Sequence, residues 1–381
     1  MEERMKFVTR LRNGERMTDL CQEFGISRKT GYKLVERYEQ LSAVGLLDQS
    51  RAPARSPQRT PAAVAESLVA LRKQHPTWGP KKLRAHQLRQ QPGVAVPAAS
   101  TIGELLKRHG LITPRKWRTR PEVEYSPLCH AEAPNDVWCV DFKGQFRLHN
   151  GRYCYPLTMT DAYSRWLLTC EGLDDTKTVG AWRVFEATFR RYGLPSAIRS
   201  DNGAPFASQG IAGLSRLSVW WMKLGIRLER TEPASPQQNG RHERMHRTLK
   251  AETTRPAGAN MLQQQERFDR FQEVYNHQRP HEALDQRPPA DFYKPSADKY
   301  PERIAEPEYP LHDIVVRVRD AGHVYIPGSG RTGAAFLSSA LAGEQVGLRE
   351  LDDNLWLVSY LALDLGVLDV RLGKVRPIDL T

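Results

Sequence analysis

Residues 137-VWCVDFKGQF-146 are rich in β-branched, aromatic and apolar side chains, which favour extended backbone. Two similar runs follow closely, 153-YCYPLTMTDA-162 and 166-WLLTCEGL-173, and together the three predict a meander of strands. A helix is predicted over 178–193, with Gly193 as its stop, and further strands over 196–201 and 226–233. Strands alternating with helices in this order predict a mixed α/β domain over residues 135–295.

Three acidic residues occupy positions in this domain where strands and a helix would converge. Asp141 lies in the first strand, Asp201 follows a later strand within 200-SDNGAPF-206, and Glu243 lies on a helix predicted over 237–252. Asp-Asn-Gly alone indicates a turn. Carboxylates from two strand ends and an adjacent helix, however, form an oxygen-rich site suited to Mg²⁺ or Mn²⁺. Two such ions about 3.5–4 Å apart would serve phosphoryl transfer.

The predicted helix places Glu243, His246, Arg247 and Lys250 on one face, at i, i+3, i+4 and i+7. A metal ligand and phosphate-binding cations would therefore share that face. Other acids have simpler interpretations. We expect Asp161 to order a turn or an arginine rather than to bind metal, and Asp174 and Asp175 to form a solvated turn.

The positive charge of the chain is concentrated in its first third. The net charge is +12, and residues 1–120 hold 24 Lys and Arg against 10 Asp and Glu, whereas residues 121–310 hold 25 of each class. A concentrated basic segment on a folded chain indicates a polyanionic partner, bound through neutralisation of phosphates.

Residues 16–41 read as two helices broken at Gly25, within a domain predicted over 1–45. We expect Thr18 to cap the first helix and Ser27 the second. This helix-turn-helix pattern exposes a basic group near the start of the second helix, where such motifs contact DNA: Arg28, Lys29, Thr30 and Lys33. Any small helical hairpin with a basic, solvated face would give the same pattern.

A linker rich in Pro, Arg and Ser follows over residues 46–60, where Arg51 and Arg55 can contact a phosphate backbone. A second helix-turn-helix-like domain is predicted over 61–115, with its third helix capped by Ser100 or Thr101. Its cations available to phosphates are Lys81, Lys82, Arg84 and Lys107. Residues 116–134 are predicted to be a further linker.

The end of the sequence differs again. Short strands between turn signals over residues 310–381 predict a small all-β, barrel-like domain, which could serve assembly or local DNA contact. The five cysteines show no CxxC pair, which argues against a disulfide framework and against a cysteine-based zinc site. No apolar run approaches about 18 residues, so we expect no membrane partner and a cytoplasmic, nucleoid-associated protein.

The ordered motifs WCVDFKG, SDNGAPF and PQQNGRHERMHRTLK, followed by 275-YNHQRPHEALDQRPPADFY-293, resemble the core of the DDE transposases and retroviral integrases, in particular the bacterial insertion-sequence branch. The resemblance implies a ribonuclease H-like fold in which Asp141, Asp201 and Glu243 bind two Mg²⁺ or Mn²⁺ ions. It also implies cleavage of element ends by water and strand transfer by the freed 3′-hydroxyl, without a covalent enzyme intermediate.

The same resemblance implies a wider DNA-contacting set around the acids. It comprises Asn202, Gly203, Gln238, Asn239, Gly240, His246 and Lys250, to which the helix face adds Arg247. Two departures are visible: Gln238 occupies a position where many relatives have Ser, and no HHCC zinc module precedes the core. The implied partners are terminal inverted repeats, target DNA and further copies of the chain, in a dimer or larger assembly.

Two alternative functions use the same fold. One is a DNA-binding regulator with an inactive core, which the presence of all three acids disfavours. The other is a structure-specific nuclease, which the tandem DNA-reading units disfavour.

Overall fold

The computed structural model describes residues 1–48, 59–112, 131–231, 240–326 and 334–376. The chain divides into two compact units, Met1–Pro61 and Ala62–Thr381. Among the described residues, no helix combines the length and the apolar character that crossing a membrane requires.

The first unit contains three helices around a small apolar core: α1 (Glu2–Arg12), α2 (Met17–Glu23) and α3 (Arg28–Leu41). Phe7, Leu20 and Leu34 are buried among them. Gly31 allows α3 to approach closely, since a Cβ there would lie 2.8 Å from the Met17 sulfur. The two predicted helices are confirmed, and α1 adds a third that we did not predict.

The two predicted helix caps in this unit have different outcomes. The Ser27 hydroxyl accepts a hydrogen bond from the Thr30 amide at 3.2 Å, which confirms the cap of α3. The Thr18 prediction was wrong, because α2 begins at Met17 and Thr18 already lies inside its first turn. Arg16 is the N-cap residue, and its side chain makes no capping bond.

The second unit begins with three helices around the buried indole of Trp78: α4 (Ala62–Gln74), α5 (Pro80–Gln90) and α6 (Ala99–Arg108). All three helices were predicted. The capping prediction for α6 was wrong, because the helix begins at Ala99 directly after Ala98 and uses no side-chain cap. Ser100 and Thr101 therefore lie in its first turn.

Helix α5 fastens this trio to the central domain. Arg89 donates two hydrogen bonds to the Asp291 carboxylate, at 2.7 and 2.8 Å. Lys82 Nζ donates to the Pro280 carbonyl at 2.6 Å. Val274 of the central domain also packs against the apolar core of the trio. One basic face of α5 thus packs against the central domain.

The central domain is a six-stranded mixed sheet with helices on both faces. Strand β3 pairs antiparallel with β1, β2 and β4, and β1 continues into a parallel pairing with β5 and then β6. The prediction of a mixed α/β core is confirmed. The elements are β1 (Val137–Phe142), β2 (Phe146–Arg147), β3 (Tyr153–Asp161), β4 (Leu167–Leu173), α7 (Thr178–Tyr192), β5 (Ala197–Ser200), α8 (Arg216–Lys223), β6 (Arg227–Arg230), α9 (Gly240–Thr253) and α10 (Met261–His277).

The two faces of this sheet bury different sets of side chains, as strand alternation requires. Trp138 and Val140 of β1 pack with Phe185 of α7 and Trp221 of α8. Strands β3 and β4 pack on the other side against Met245 and Leu249 of α9 and against α10. Helices α8 and α10 were not predicted, although both supply buried aromatic residues.

A C-terminal all-β region follows and confirms the predicted class. Its strands are β7 (Ile314–Arg317), β8 (His323–Tyr325), β9 (Ala334–Phe336), β10 (Gln345–Asp352), β11 (Leu355–Tyr360), β12 (Leu363–Asp369) and β13 (Lys374–Arg376). Five of them pair in the order β13-β12-β11-β10-β7, and β8 pairs with β9.

A closed barrel is not seen in the parts of this region that the structure describes, because no pairing joins β7 to β13. The apolar side of the five-stranded sheet has another partner. Its apolar side chains form one buried cluster with Leu214 and Val219 of the central domain. These contacts bury that side of the sheet although the sheet does not close into a barrel.

Asp161 ends β3 and ties it to the residue that precedes β1. Its carboxylate accepts hydrogen bonds from the Asn135 amide at 2.7 Å and from the Ser164 amide and hydroxyl at 2.7 and 2.6 Å. Asn135 in turn accepts bonds from Trp138 Nε1 and from the Tyr293 hydroxyl. The prediction that Asp161 orders a turn is confirmed, and through Asn135 it also fixes the start of β1.

Asp161→Ala should lower the free energy of unfolding by about 3 kcal/mol, because three buried donors lose their acceptor. Chemical denaturation followed by tryptophan fluorescence measures this. Asp174→Ala is the control, since its partner Arg152 is exposed and the change should stay within about 0.5 kcal/mol. Unchanged stability combined with lost Mn²⁺ binding would instead make Asp161 a metal ligand.

Candidate active site

Asp141 lies near the end of β1, where the strand leaves the core. It is opposite Thr158 of β3, and its side chain is 25% exposed. On the other edge of β1, Cys139 is in parallel register with Arg199 of β5. Two residues further along the chain in each case are Asp141, still within β1, and Asp201, directly after the end of β5. The parallel pairing therefore brings these two acids to the same edge of the sheet.

Asp201 is exposed in the turn that follows β5. The Gly203 amide donates to Asp201 Oδ1 at 3.2 Å, and Asn202 Nδ2 donates to the Thr231 carbonyl at 2.7 Å. The predicted turn is confirmed. Since Thr231 follows β6, Asn202 ties this turn to the next strand end.

Glu243 lies in the first turn of α9, and its side chain is exposed. The helix is held on the sheet by Met245 and Leu249 on its opposite side. Burial raises the pKa of Asp141 to about 7, with Asp201 and then Glu243 adding repulsion; the Phe142 amide and Lys143 oppose this. Asp201 and Glu243 are thus both close enough to Asp141 to repel its negative charge.

The oxygen donors of this arrangement fit a divalent cation, but the three carboxylates do not converge on one point. Carboxylate oxygens are the ligands that Mg²⁺ and Mn²⁺ prefer, and a cation would remove the repulsion that raises the pKa of Asp141. Within the described ranges, however, no three His, Cys, Asp or Glu side chains converge closely enough to hold one ion. The acids are neighbours but do not form a closed cage.

Two histidines of α9 face the sheet. His242 and His246 are 1% and 5% exposed, and their rings meet edge to face with centroids 4.5 Å apart. His246 Nδ1 lies 3.6 Å from Asp141 Oδ2. Burial lowers the pKa of His242 to about 3 and that of His246 to about 2, so both rings are neutral. The predicted DNA contact of His246 is therefore not available to its side chain in this structure.

The remaining predicted contacts of α9 and α3 are accessible. Arg247 and Lys250 are exposed on α9, and Arg28, Lys29, Thr30 and Lys33 are exposed at the start of α3. Thr30 also contacts the Ser27 cap, with 3.0 Å between the two hydroxyl oxygens. Arg51, Arg55, Gln238 and Asn239 lie outside the described residues.

The predicted phosphate contacts on α5 differ in accessibility, since Lys81 and Arg84 are exposed and only Lys82 is partly covered by protein. Lys82 is half-buried, and burial followed by repulsion from Arg279 lowers its pKa to about 7. Lys81 Nζ lies 3.5 Å from Glu282, and Arg84 Nε donates to the Pro97 carbonyl at 3.1 Å. Lys107 on α6 is exposed, as expected. Lys82 of α5, which packs on the central domain, thus differs in accessibility from Lys107 of α6, which faces solvent.

Sequence reasoning missed Tyr32, Thr158, Thr160 and His242. Tyr32 is 62% exposed between Lys29 and Lys33 on the solvent face of α3. His242 could have been found, because it precedes His246 by four residues and so must lie on the same face of α9. The two threonines have no such local signal, since only the packing of α9 on β3 brings them to the histidines.

Models of known protein families match most of the chain in pieces. Two models described as Integrase core domain match residues 131–236 and 224–289. A Helix-turn-helix domain model matches residues 3–54, and a Homeodomain-like domain model matches residues 30–106.

Two kinds of relatives are similar in sequence to this chain: viral polyproteins and insertion-element proteins. A Gag-Pol polyprotein of baboon endogenous virus (strain M7) is 30% identical over 193 residues, which cover 50% of this chain and 11% of the polyprotein. A 39.2 kDa protein of insertion element IS476 from Xanthomonas euvesicatoria is 28% identical over 246 residues, 62% of this chain and 67% of that protein. This chain therefore spans only a small part of the viral relative.

Among solved structures, the HTLV-2 integrase catalytic core domain in complex with magnesium aligns over 43% of this chain and 100% of its own. The TM-score is 0.35 and the identity is 14%.

Asp141→Asn should stabilise the metal-free protein at pH 7.5 by about 2 kcal/mol. A rise in the carboxyl pKa from 3.8 to about 7 costs up to about 4 kcal/mol, and partial exposure reduces this cost. The native state retains the proton that the unfolded state loses, so wild-type stability falls as pH rises from about 4 to 7. The difference between variant and wild type should vanish near pH 4 in denaturation curves.

Asp174→Asn, at an exposed carboxylate, is the matched control and should show no such pH-dependent difference. Mn²⁺ should raise the melting temperature of the wild type and not that of Asp141→Asn. A pH-independent difference would contradict the electrostatic origin of the effect.

Proposed function

Since this chain contains an integrase core domain and helix-turn-helix domains and belongs to the superfamily of DDE transposases and retroviral integrases, we propose that it is the transposase of an insertion sequence. The observation that supports this most directly is the meeting of Asp141, Asp201 and Glu243. Three segments far apart in sequence bring these carboxylates close enough that Asp201 and Glu243 both add to the raised pKa of Asp141.

We assign metal binding to these three acids, with two Mg²⁺ or Mn²⁺ ions in each active site. Asp141 and Asp201 would contribute from adjacent parallel strands and Glu243 from the first turn of α9. When bound, such ions lower the pKa of an attacking water or hydroxyl and neutralise charge on the leaving oxygen. The open geometry of the acids fits a site that closes only when DNA and cations are present together.

The chain itself would supply binding and orientation. Arg247 and Lys250 are exposed on the helix that holds Glu243, where they can pair with phosphates beside the scissile bond. The turn at Asp201 is braced through Asn202 to the end of β6, which keeps the carboxylate in place when DNA approaches. These contacts would align an attacking oxygen in line with the leaving 3′-oxygen.

The proposed reaction has two steps at the same site. Water first attacks the phosphodiester at each end of the element and releases a 3′-hydroxyl. That hydroxyl then attacks a phosphodiester of the target DNA and joins the strand to it. In the first step water replaces the 3′-oxygen on phosphorus and leaves a phosphomonoester; in the second the freed 3′-hydroxyl forms a new phosphodiester and releases a 3′-hydroxyl of the target strand. Each step is proposed as a direct displacement, in which one P–O bond forms as another breaks, so it needs no covalent enzyme intermediate and no external energy source.

Recognition of the element ends would come from the N-terminal helices. The exposed face of α3 presents Arg28, Lys29, Tyr32 and Lys33, and α6 presents Lys107 and Arg108. These are side chains that contact base edges and phosphates in helix-turn-helix proteins. Because two inverted-repeat ends must be held together, we propose a dimer or larger assembly on DNA.

Glu243→Gln should abolish Mg²⁺-dependent strand transfer, by about 1,000-fold or more, since several kcal/mol of charge stabilisation are lost. Binding to terminal-repeat DNA should remain near the wild-type level. A strand-transfer assay with labelled end DNA and a binding titration measure the two effects.

Glu266→Gln, at an exposed glutamate on α10, is the matched control and should retain activity. Full activity of Glu243→Gln would refute the proposed catalytic site. A wild type that binds ends without cutting them would favour a DNA-binding regulator. A wild type that cuts but never joins would favour a nuclease.

The double variant Arg28→Ala and Lys29→Ala should lower the ratio of specific to non-specific DNA affinity about 10-fold or more, because base contacts are worth about 1–3 kcal/mol each. Competition titrations at fixed salt measure this ratio. Lys6→Ala with Arg12→Ala removes the same charge from α1 and should leave the ratio unchanged. An equal ratio in both double variants would contradict base recognition by α3.

A further inference from the structure

A buried chain of polar groups runs from the interior of the sheet to Asp141. Thr160 Oγ1 lies 2.8 Å from His242 Nδ1, and His242 Nε2 lies 2.8 Å from Thr158 Oγ1. Thr158 Oγ1 lies 2.7 Å from His246 Nε2, and His246 Nδ1 faces Asp141 Oδ2 at 3.6 Å. Four hydrogen-bonding side chains are therefore connected, in sequence, to one proposed metal ligand.

The Thr158 hydroxyl decides how hydrogens are distributed in this chain. Its oxygen lies within hydrogen-bond distance of both His Nε2 atoms and, at 3.1 Å, of the Asp141 carbonyl. A hydroxyl has one hydrogen to donate and can accept two bonds. The recipient of that single hydrogen therefore fixes which nitrogen of His246 is protonated.

In two of the three possible arrangements the hydrogen goes to the Asp141 carbonyl or to His242. His246 must then donate from Nε2 to Thr158, which leaves a lone pair on Nδ1 facing the Asp141 carboxylate. A lone pair opposite an ionised carboxylate is repulsive, because both groups present electron density and neither presents a hydrogen. Neither arrangement suits Asp141 as an ionised metal ligand.

In the third arrangement every hydrogen points toward Asp141. Thr160 donates to His242 Nδ1, His242 Nε2–H donates to Thr158, and Thr158 donates to His246 Nε2, across the shortest of its contacts. His246 then carries its hydrogen on Nδ1, directed at Asp141 Oδ2.

The Asp141 carbonyl does not need the hydroxyl of Thr158. The Lys143 amide donates to the Pro156 carbonyl at 2.9 Å. In an antiparallel ladder the same pairing type recurs two positions earlier on β1 and two positions later on β3, at Asp141 and Thr158. Asp141 and Thr158 are therefore a hydrogen-bonded pair, in which the backbone amide of Thr158 serves the Asp141 carbonyl.

We propose that His246 is a positioning residue for Asp141, held by the Thr160–His242–Thr158 chain as the Nδ1–H form that donates to the Asp141 carboxylate when the site holds its cations. The inference rests on the proposed function, because it takes Asp141 as a metal ligand. The 3.6 Å separation exceeds a hydrogen bond, and a movement of about 0.7 Å would close it.

Such a bond would restrict the carboxylate to one orientation toward the cations. Outer partners of metal ligands commonly contribute 10–100-fold to metal affinity by fixing ligand orientation. The chain is also too deeply buried to contact DNA, so its effect reaches the substrate only through Asp141.

Two substitutions of His246 separate this role from simple packing. Asn places its amide near the position of Nδ1 and can still donate to Asp141. Gln places its amide near the position of Nε2 and can bond to Thr158 but not to Asp141. Both lose the imidazole ring, so both should lower the melting temperature of the metal-free protein to a similar extent.

Mn²⁺ binding to the full chain, measured by electron paramagnetic resonance, should be about 10–100-fold weaker for His246→Gln and within about 3-fold of wild type for His246→Asn. His277→Gln, at a histidine that is 46% exposed, is the control and should not change it. Equal Mn²⁺ affinity of the Asn and Gln variants, or weaker binding by Asn, would overturn the proposal. Wild-type protein that binds no Mn²⁺ would instead overturn the proposed function.

A second measurement needs no variant and covers the case in which neither variant folds. In Mg²⁺-loaded wild type, imidazole ¹⁵N spectra should show His246 protonated at Nδ1 and His242 protonated at Nε2. His246 protonated at Nε2 in that state would overturn the proposal, whatever the outcome of the strand-transfer assay.

Discussion

The parallel pairing of β1 with β5 is the constraint on which the candidate site depends. Antiparallel neighbours would place their carboxyl ends at opposite edges of a sheet, whereas Cys139 opposite Arg199 aligns the two ends at one edge. Asp141 and Asp201 then lie side by side although 60 positions separate them in the chain. Helix α7 makes this possible, because it carries the chain back across the sheet between β4 and β5.

Helix α9 completes the candidate site by dividing its residues among three environments. Its outward side presents Glu243, Arg247 and Lys250, while Met245 and Leu249 anchor it in the apolar core. The two histidines occupy a third position, buried and neutral behind Asp141. One short helix thus supplies an acid, exposed cations and buried polar groups to the same small region.

The basic N-terminal third serves two purposes. On α3 and α6 its cations face solvent, as DNA recognition requires. Lys82 and Arg89 of α5 instead donate hydrogen bonds to the Pro280 carbonyl and to the Asp291 carboxylate. The second helical trio is consequently held to the domain that contains the acids. These contacts therefore fix the position of the trio, including α6, relative to the domain that contains the acids.

Sequence alone predicted the mixed sheet and most of its strands, because these follow from local alternation and turn chemistry. Helices α1, α8 and α10 were missed, and the metal-binding role of Asp141, Asp201 and Glu243 stays a prediction. It could not show that His246 points inward or that Lys82 meets protein, since a helix face becomes buried only when another element covers it. Thr158 and Thr160 acquire their role in the same way: a threonine in a strand has no local property that distinguishes it until α9 packs across β3. The residues proposed to carry chemistry were thus predicted from sequence, and the residues proposed to support them were decided by tertiary packing, because burial and hydrogen-bond direction depend on contacts between distant segments.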